Sequence, residues 1–481
     1  MEGFELQPRR DLNLVDASSL VVGVIIGTGI FLKAASMAQA VGTPMLVLAA
    51  WVAAGLVAIL GALCFAELGG LLPQAGGEYV YLRTAYGELP GFLFACNAFV
   101  LGGAAVAAYG AAVAIFVSDI HRFDQLWYQH TLHPFGVAFS FELGARQLIA
   151  VGVIAVFAVI NCLGVMLGGR VQTVLTATKV AAIVAVAAGV FTLGGTHDWS
   201  NLRAPSGTAS GGLTGFGGAM FAALWAYSGW QFLPMAAGEV REPQRNLPRA
   251  IVAGTLLVLG LYVAINAAYL YALPFWQVAS SNSTAYPDAP SVAARAVQTF
   301  LGGRAAPIAA LIFLVSTIGS LNGVILAAAR VPYAAARDGL FFAPFGRLNP
   351  RSRVPVTSLV LLAVWGALLA VSGTFDQLTN MAVMSYAFFW IPVSLSVIVL
   401  RRKLPGATRP FRVPGYPLVP LLFALVMVGI VISALLTAPK ESIAALLLIA
   451  LGLPLYPLFR RSAARVRLAR QAVTASRAPT A

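Results

Sequence analysis

Charge is what this sequence has least of. Only 10% of its 481 residues are Asp, Glu, Lys or Arg, against about 25% in a soluble globular protein, and 59% are hydrophobic. An ordinary soluble domain is excluded. Cysteine is nearly absent: Cys64, Cys96 and Cys162 all lie in apolar runs without zinc-type spacing, so neither a disulfide framework nor a structural metal site is expected. Histidine occurs four times, at His121, His130, His133 and His197, always between the apolar runs. Within the runs there is no H-E-x-x-H, no G-x-S-x-G and no pair of aspartates, which argues against an intramembrane enzyme. No catalytic residue and no cofactor is expected.

What is present is a series of long apolar segments. A helix needs about 20 residues to cross roughly 30 Å of hydrocarbon, and apolar windows place twelve spans at residues 14–41, 44–71, 88–118, 146–166, 170–194, 213–238, 249–274, 305–332, 355–372, 375–400, 417–437 and 440–460. This reads as an all-α polytopic membrane protein. Its first apolar run is longer than the core of a secretory signal, so residues 1–13 are expected to be retained as a cytoplasmic N-terminus. With that end inside, 23 of the 31 cations fall in inward loops and tails, seven fall outside, and Lys179 remains within a span. The positive-inside rule then puts both termini in the cytoplasm and the chain in the plasma (inner) membrane. The basic tail, residues 461–481 with Arg460 just ahead of it, reads as a retention signal and a contact with anionic membrane lipids. It lacks the stacking aromatics and binding fold that a nucleic-acid partner requires.

Two spans carry the same anomaly. The first is interrupted by Gly27, Thr28 and Gly29, the sixth by Ser228 and Gly229, each in mid-segment, where glycine weakens a helix. First and sixth are corresponding members of two five-span halves, and an odd-numbered repeat must be inverted in its second copy. Paired broken helices in inverted repeats point to a binding site at the membrane midplane. Backbone groups freed in hydrocarbon need partners. At Gly27-Thr28-Gly29 the small residues let a ligand approach the main chain, and the following half-helix directs N–H groups and positive dipole at an anion such as a carboxylate. At Trp225-Ala226-Tyr227-Ser228-Gly229-Trp230 the half-helix ends in free carbonyls, with another at Ile25, which suit an ammonium group. Together they describe a site for a zwitterionic α-amino acid. Close helix packing through small residues is the competing reading of either motif.

At this point the sequence resembles the amino acid-polyamine-organocation superfamily, and within it the L-type amino acid transporters. The resemblance rests on Gly23 to Phe31 (GVIIGTGIF), Cys64 to Tyr81 (CFAELGGLLPQAGGEYVY), Gly238 to Ile251 (GEVREPQRNLPRAI) and Arg330 to Gly339 (RVPYAAARDG), and runs through nearly the whole chain. It implies a LeuT-like core of two inverted repeats, residues 14–194 and 213–400, with helices 1 and 6 broken, plus two peripheral spans within 417–460, working by alternating access. In such proteins Thr28 and Gly29 would hold the carboxylate, the carbonyls of Ile25, Trp225 and Ser228 the ammonium, and Trp225 would be a lid, with core packing as its alternative. Gly27 and Tyr227 lie at the same breaks and are counted with them.

Lys179 follows Arg170 by nine residues, about 13 Å of depth at 1.5 Å per residue, further than a lysine stem easily snorkels. An ionisable group at that depth usually marks a pathway or site and needs a partner. Ser316 and Ser320 are four apart, share a helix face and offer hydroxyls, or simply pack. In sodium-coupled relatives a sodium ion sits between the first and eighth helices, and the family's fifth-helix lysine, which Lys179 resembles, places an ammonium there instead. Sodium independence is expected, with exchange and proton coupling both open. No Asp or Glu in the sixth or eighth span would pair with a cationic side chain, which favours neutral substrates. Ser228 stands where several relatives with bulky substrates have glycine, and Trp225 exceeds the phenylalanine often found at its place. Both narrow the pocket toward alanine, serine, glycine or cysteine.

Eukaryotic relatives join a heavy subunit through a cysteine between spans three and four. This loop, about residues 119–145, has none, so no disulfide-linked heavy subunit is expected. A proton-coupled symporter of the same fold, a carrier of larger neutral or cationic amino acids, and a non-transporting receptor are the alternatives; too few residues follow Arg460 for a signalling domain. The outward segment 275–301 is expected to form a helical lid or a static loop.

Overall fold

The computed structural model describes residues 6–120, 125–132, 139–193, 199–203, 211–283, 285–286, 289–372 and 375–476. Asn13 starts the first helix: its side chain accepts from Val15 N and Asp16 N while the Asp16 carboxylate accepts from Asn13 N, a reciprocal cap. Helix α1 (Leu14–Ile25) stops where Ile26 leaves helical backbone angles, and α2 (Gly29–Val41) resumes after a three-residue gap. There follow α3 (Pro44–Leu71), begun by a Thr43 cap with proline in the first turn, α4 (Glu78–Tyr86) and α5 (Glu88–Ile120).

A hairpin corrects the expectation of an all-α chain. Strands β1 (Leu126–Leu132) and β2 (Phe139–Gly144) pair antiparallel, with Leu126 opposite Gly144 and Leu132 opposite Phe139. Leu-Trp-Tyr-Gln-His-Thr-Leu and Phe-Ser-Phe-Glu-Leu-Gly are rich in the aromatic residues that favour strands, a signal masked by the length of the loop between spans. His130 is in β1, whereas His121, Arg122, His133 and His197 lie outside the described residues, as do Glu2, Glu5, Pro287, Asp288 and Arg477.

The chain continues through α6 (Ala145–Leu163), α7 (Val165–Leu193), α8 (Gly212–Tyr227), the single turn α9 (Phe232–Met235), α10 (Pro243–Ala272), α11 (Phe275–Ala279), α12 (Val292–Leu301), α13 (Ala305–Ala328) and α14 (Arg330–Arg337). It closes with α15 (Val356–Ala370), α16 (Phe375–Lys403), α17 (Leu418–Thr437), α18 (Pro439–Ala450) and α19 (Gly452–Ser476). Among the described residues ten helical runs are long and apolar enough to cross a membrane. Two of the twelve expected spans fall short: the sixth because α8 ends at Tyr227 after 16 residues, the ninth because α15 has only 15. Leu425, Leu436 and Leu458 are about 70% exposed on the outside of the bundle, a surface suited to hydrocarbon. The expected lid segment holds α11 and α12, and Gln39 Nε2 donates to Ala279 O (2.6 Å) and Ser283 Oγ (2.9 Å) beside it.

At the opposite end of α1, residues 6–12 strap the bundle. Leu12 N donates to Glu239 O (3.0 Å), Arg241 N donates to Leu12 O (2.8 Å) and Arg337 Nη1 donates to Leu6 O (3.0 Å).

Candidate functional site

The two helix breaks touch. A Cβ on Gly29 would come within 2.5 Å of Ala226 Cα, and one on Gly229 within 2.5 Å of Ile25 N. For these two glycines the missing side chain is accounted for by main chain packed on main chain. Gly27 faces a different neighbour: a Cβ there would meet Ser320 Oγ at 2.9 Å and Tyr109 at 3.0 Å.

Around this contact the backbone presents two complementary ends. At the start of α2 the amides of Thr28, Gly29 and Ile30 have no backbone acceptor among the described residues, as the first turn of any helix dictates. At the end of α8, Trp225 O accepts from Ser228 N (3.2 Å), and a carbonyl has room for a second donor. Ile25 O accepts from the Tyr262 hydroxyl (2.8 Å), which also reaches Ala226 O (3.1 Å). Thr28 is fully buried, Trp225 and Ser228 nearly so. The Trp225 indole N–H donates to Thr28 Oγ1 (3.2 Å), and its ring lies 5.5 Å from that of Tyr109. The Tyr227 ring packs on those of Trp51 and Tyr262.

Two residues that pattern reading did not single out hold the breaks open. Tyr262, from α10, bridges the broken ends of both helices. Gln231 Nε2 donates to Ser228 Oγ (2.8 Å) while its Oε1 accepts from Gly229 N (2.8 Å), replacing the helical bonds lost there. A glutamine two residues past a glycine break was the one available signal. Tyr262→Phe removes the single hydroxyl proton that two buried carbonyls share, leaving an unmet acceptor that costs about 1–3 kcal/mol. The purified variant is expected to unfold at a visibly lower temperature than the parent, whereas an unchanged melt would show that the bridge adds no stability.

Lys179, Ser316 and Ser320 converge on the end of α1. Lys179 Nζ donates to Gly23 O (2.5 Å), Ile26 O (2.7 Å) and Ser320 Oγ (3.1 Å). Ser316 Oγ donates to Ile26 O (3.2 Å), and Ser320 Oγ lies 3.1 Å from both Gly23 O and Ile26 O. All three side chains are buried. The freed carbonyls of α1 are therefore satisfied by one amine and two hydroxyls, as backbone in hydrocarbon requires. The lysine stem fits because Gly319 has no side chain; a Cβ there would lie 2.6 Å from Lys179 Cε. No group of three or more His, Cys, Asp and Glu arranged to hold a metal occurs among the described residues.

The family model for amino acid permeases matches residues 12–452. The chain is 29% identical to the human b(0,+)-type amino acid transporter 1 over 462 residues, covering 94% of this chain and 88% of that protein. It is 28% identical to the serine/threonine exchanger SteT of Bacillus subtilis (strain 168) over 451 residues, 93% and 96% of the two chains. To the human large neutral amino acids transporter small subunit 2 it is 28% identical over 459 residues, 93% and 80% of the two.

Proposed function

The chain belongs to the amino acid permease family, and from that premise we propose that it is a sodium-independent exchanger of small neutral L-amino acids. Its relatives are membrane transporters of amino acids, and so is this multi-pass chain; it is not an enzyme. One observation carries the finer reading: amides at the start of α2 with no backbone acceptor among the described residues lie beside the carbonyl end of α8 in a buried contact. An α-carboxylate on the first and an α-ammonium on the second use charge-assisted hydrogen bonds, about twice as strong as neutral ones. Thr28 and Gly29 take the carboxylate. Ile25, Trp225 and Ser228 take the ammonium through their main chain, and Trp225 closes over the ligand.

The working arrangement is twelve spans, ten of them in two inverted repeats of five with the first and sixth broken, cycling by alternating access. Both termini lie in the cytoplasm of a cell whose inner membrane holds the protein. Lys179 stands where sodium-coupled carriers of this fold hold an ion, so a cation already fills that place. The loop between the third and fourth spans contains no cysteine, and the protein works without a disulfide-linked heavy subunit. The serine/threonine exchange recorded in the name of one relative supports exchange and small substrates together.

Proteoliposomes test this directly. Radiolabelled alanine uptake should require internal amino acid and be indifferent to sodium. Accumulation in empty vesicles driven by a pH gradient would replace exchange with proton symport. Because the Ser228 side chain narrows the site, Ser228→Gly should let leucine compete with alanine at least ten times better than in the parent. Unchanged competition would detach substrate size from Ser228.

A further inference from the structure

Among the described residues three glutamates are buried, and two hold arginines. Glu67 accepts from Arg401 Nη2 (2.6 Å) and Val413 N (2.6 Å), and Glu239 accepts from Arg330 Nη2 (2.9 Å). Glu78, at the first position of α4, is fully buried, yet neither carboxylate oxygen has a hydrogen-bond partner among the described residues. An ionised carboxylate in that state is far costlier than a neutral one, so the group takes up a proton instead.

Its surroundings are aromatic. Tyr81 of its own helix, and Tyr386 and Trp390 of α16, bear on the carboxyl, and the Trp390 indole approaches it without closing a hydrogen bond. The charged groups of the neighbouring elements are engaged elsewhere: Arg83 with Asp338 at the end of α14, which also accepts from the Tyr79 hydroxyl (2.9 Å), and Glu67 of α3 with Arg401. Burial pushes the Glu78 carboxyl up to about 8, opposed weakly by its own backbone and by Trp390, with no charged side chain among the influences on it.

The cage joins α4, from the first half of the chain, to α16 and the segment around Trp230, from the second. Gly76 N donates to Met235 O (2.9 Å), and a Cβ on Gly77 would lie 3.0 Å from Met235 N, which latches the root of α4 to α9, just beyond the break in the sixth span. Trp390 packs on Trp230 (4.8 Å between rings), the second residue after Ser228. We propose that Glu78 is a proton-binding site, occupied in this closed arrangement and emptied when α9 and Trp230 part from α16. Opening wets the carboxyl and returns it toward the ordinary carboxylate range, so one proton leaves to water. Between the ordinary value and about 8, each rise of one pH unit shifts the closed-to-open ratio about tenfold against the closed state.

The proton site rests on the transport reading only for its consequence, since titration needs no substrate. The protein in nanodiscs should show a change in tryptophan emission with a midpoint above the ordinary carboxylate range and no higher than about pH 8, because Trp390 adjoins the ionising group. Glu78→Gln, a neutral isostere, should abolish it, and Trp390→Phe should diminish it. Glu78→Asp keeps a carboxyl and should shift the midpoint, which covers the case in which the glutamine variant does not fold. A flat parent profile, or the same transition in Glu78→Gln, overturns the assignment. In proteoliposomes the alanine exchange rate should vary across pH 6–9 in the parent and be flat in Glu78→Gln; equal pH dependence in both overturns the coupling. If neither protein carries alanine while the emission titration stands, the substrate reading fails and the proton site is upheld.

Discussion

Replacing Lys179 by alanine is expected to cut amino acid exchange about a hundredfold or more while the protein still reaches the membrane. The substitution removes the donor for Gly23 O, Ile26 O and Ser320 Oγ at once. Gly23 O and Ile26 O then keep only the hydroxyls of Ser316 and Ser320, and losing two hydrogen bonds from an ammonium, about 1.5–3 kcal/mol each, suffices for that factor at 1.4 kcal/mol per tenfold. The loss falls on the short stretch of backbone that sets the angle between α1 and α2, and hence the position of the Thr28 and Gly29 amides. Arginine should not rescue, because its planar guanidinium is bulkier and Gly319 already leaves only room for the lysine stem. An independent variant, Gly319→Ala, keeps the charge but drives a methyl against Lys179 Cε, and it should impair exchange in the same assay. Normal exchange in Lys179→Ala would reduce the lysine to a packing residue. Normal exchange in Gly319→Ala would show that its exact placement does not matter.

The depth of Lys179 and the shared face of Ser316 and Ser320 were legible because each signal is intrinsic, an ionisable residue too deep to snorkel and two hydroxyls one helical turn apart; that the lysine reaches the first helix was implied only by the family resemblance. The paired breaks were legible for the same reason, since glycine in mid-span departs from a helical pattern without any partner being known. Tyr262, Gln231 and Gly319 were not. A tyrosine in an apolar span has the same periodicity whether its hydroxyl bridges two broken helices or faces nothing, and the carbonyls it serves lie 36 and 237 positions away in the chain. Glu78 lies within a family motif, but a glutamate at the head of a short amphipathic helix reads as a solvated cap. Only the aromatic rings of α16 packed over it reveal a buried acid. The β-hairpin was missed because alternation over six or seven residues is weak beside the apolar signal on either side of it.

Arg330→Met is expected to destabilise the fold more than any of the preceding substitutions, by about 3–5 kcal/mol, the usual cost of stranding one partner of a buried ion pair. Arg330 Nε and Nη2 both donate to Glu239 Oε1, at 3.0 and 2.9 Å, and Nη2 also reaches Oε2 at 3.1 Å. Both side chains are almost wholly buried. The pair joins the segment after α9 to the start of α14, and the same residue 239 accepts through its carbonyl from Leu12, so the N-terminal strap is fastened at this point too. Burial raises the Glu239 carboxyl above its ordinary range, and the Arg330 guanidinium opposes that rise. Without the arginine the rise goes uncorrected. A carboxyl raised in the folded state contributes stability that is present below its ordinary value and lost as pH climbs through the raised one. Arg330→Met should therefore melt higher at pH 5 than at pH 8, by more than the parent does. Adding Glu239→Leu removes the stranded charge and should recover most of the loss, since apolar replacement of a buried pair is often neutral. If the double variant melts no higher than Arg330→Met, the pair's contribution is the shape of its packing. If instead stability returns but amino acid exchange does not, the ion pair serves the transport cycle by tying strap, α9 and α14 into one unit, a role that two leucine-sized side chains meeting without hydrogen bonds would leave unfilled.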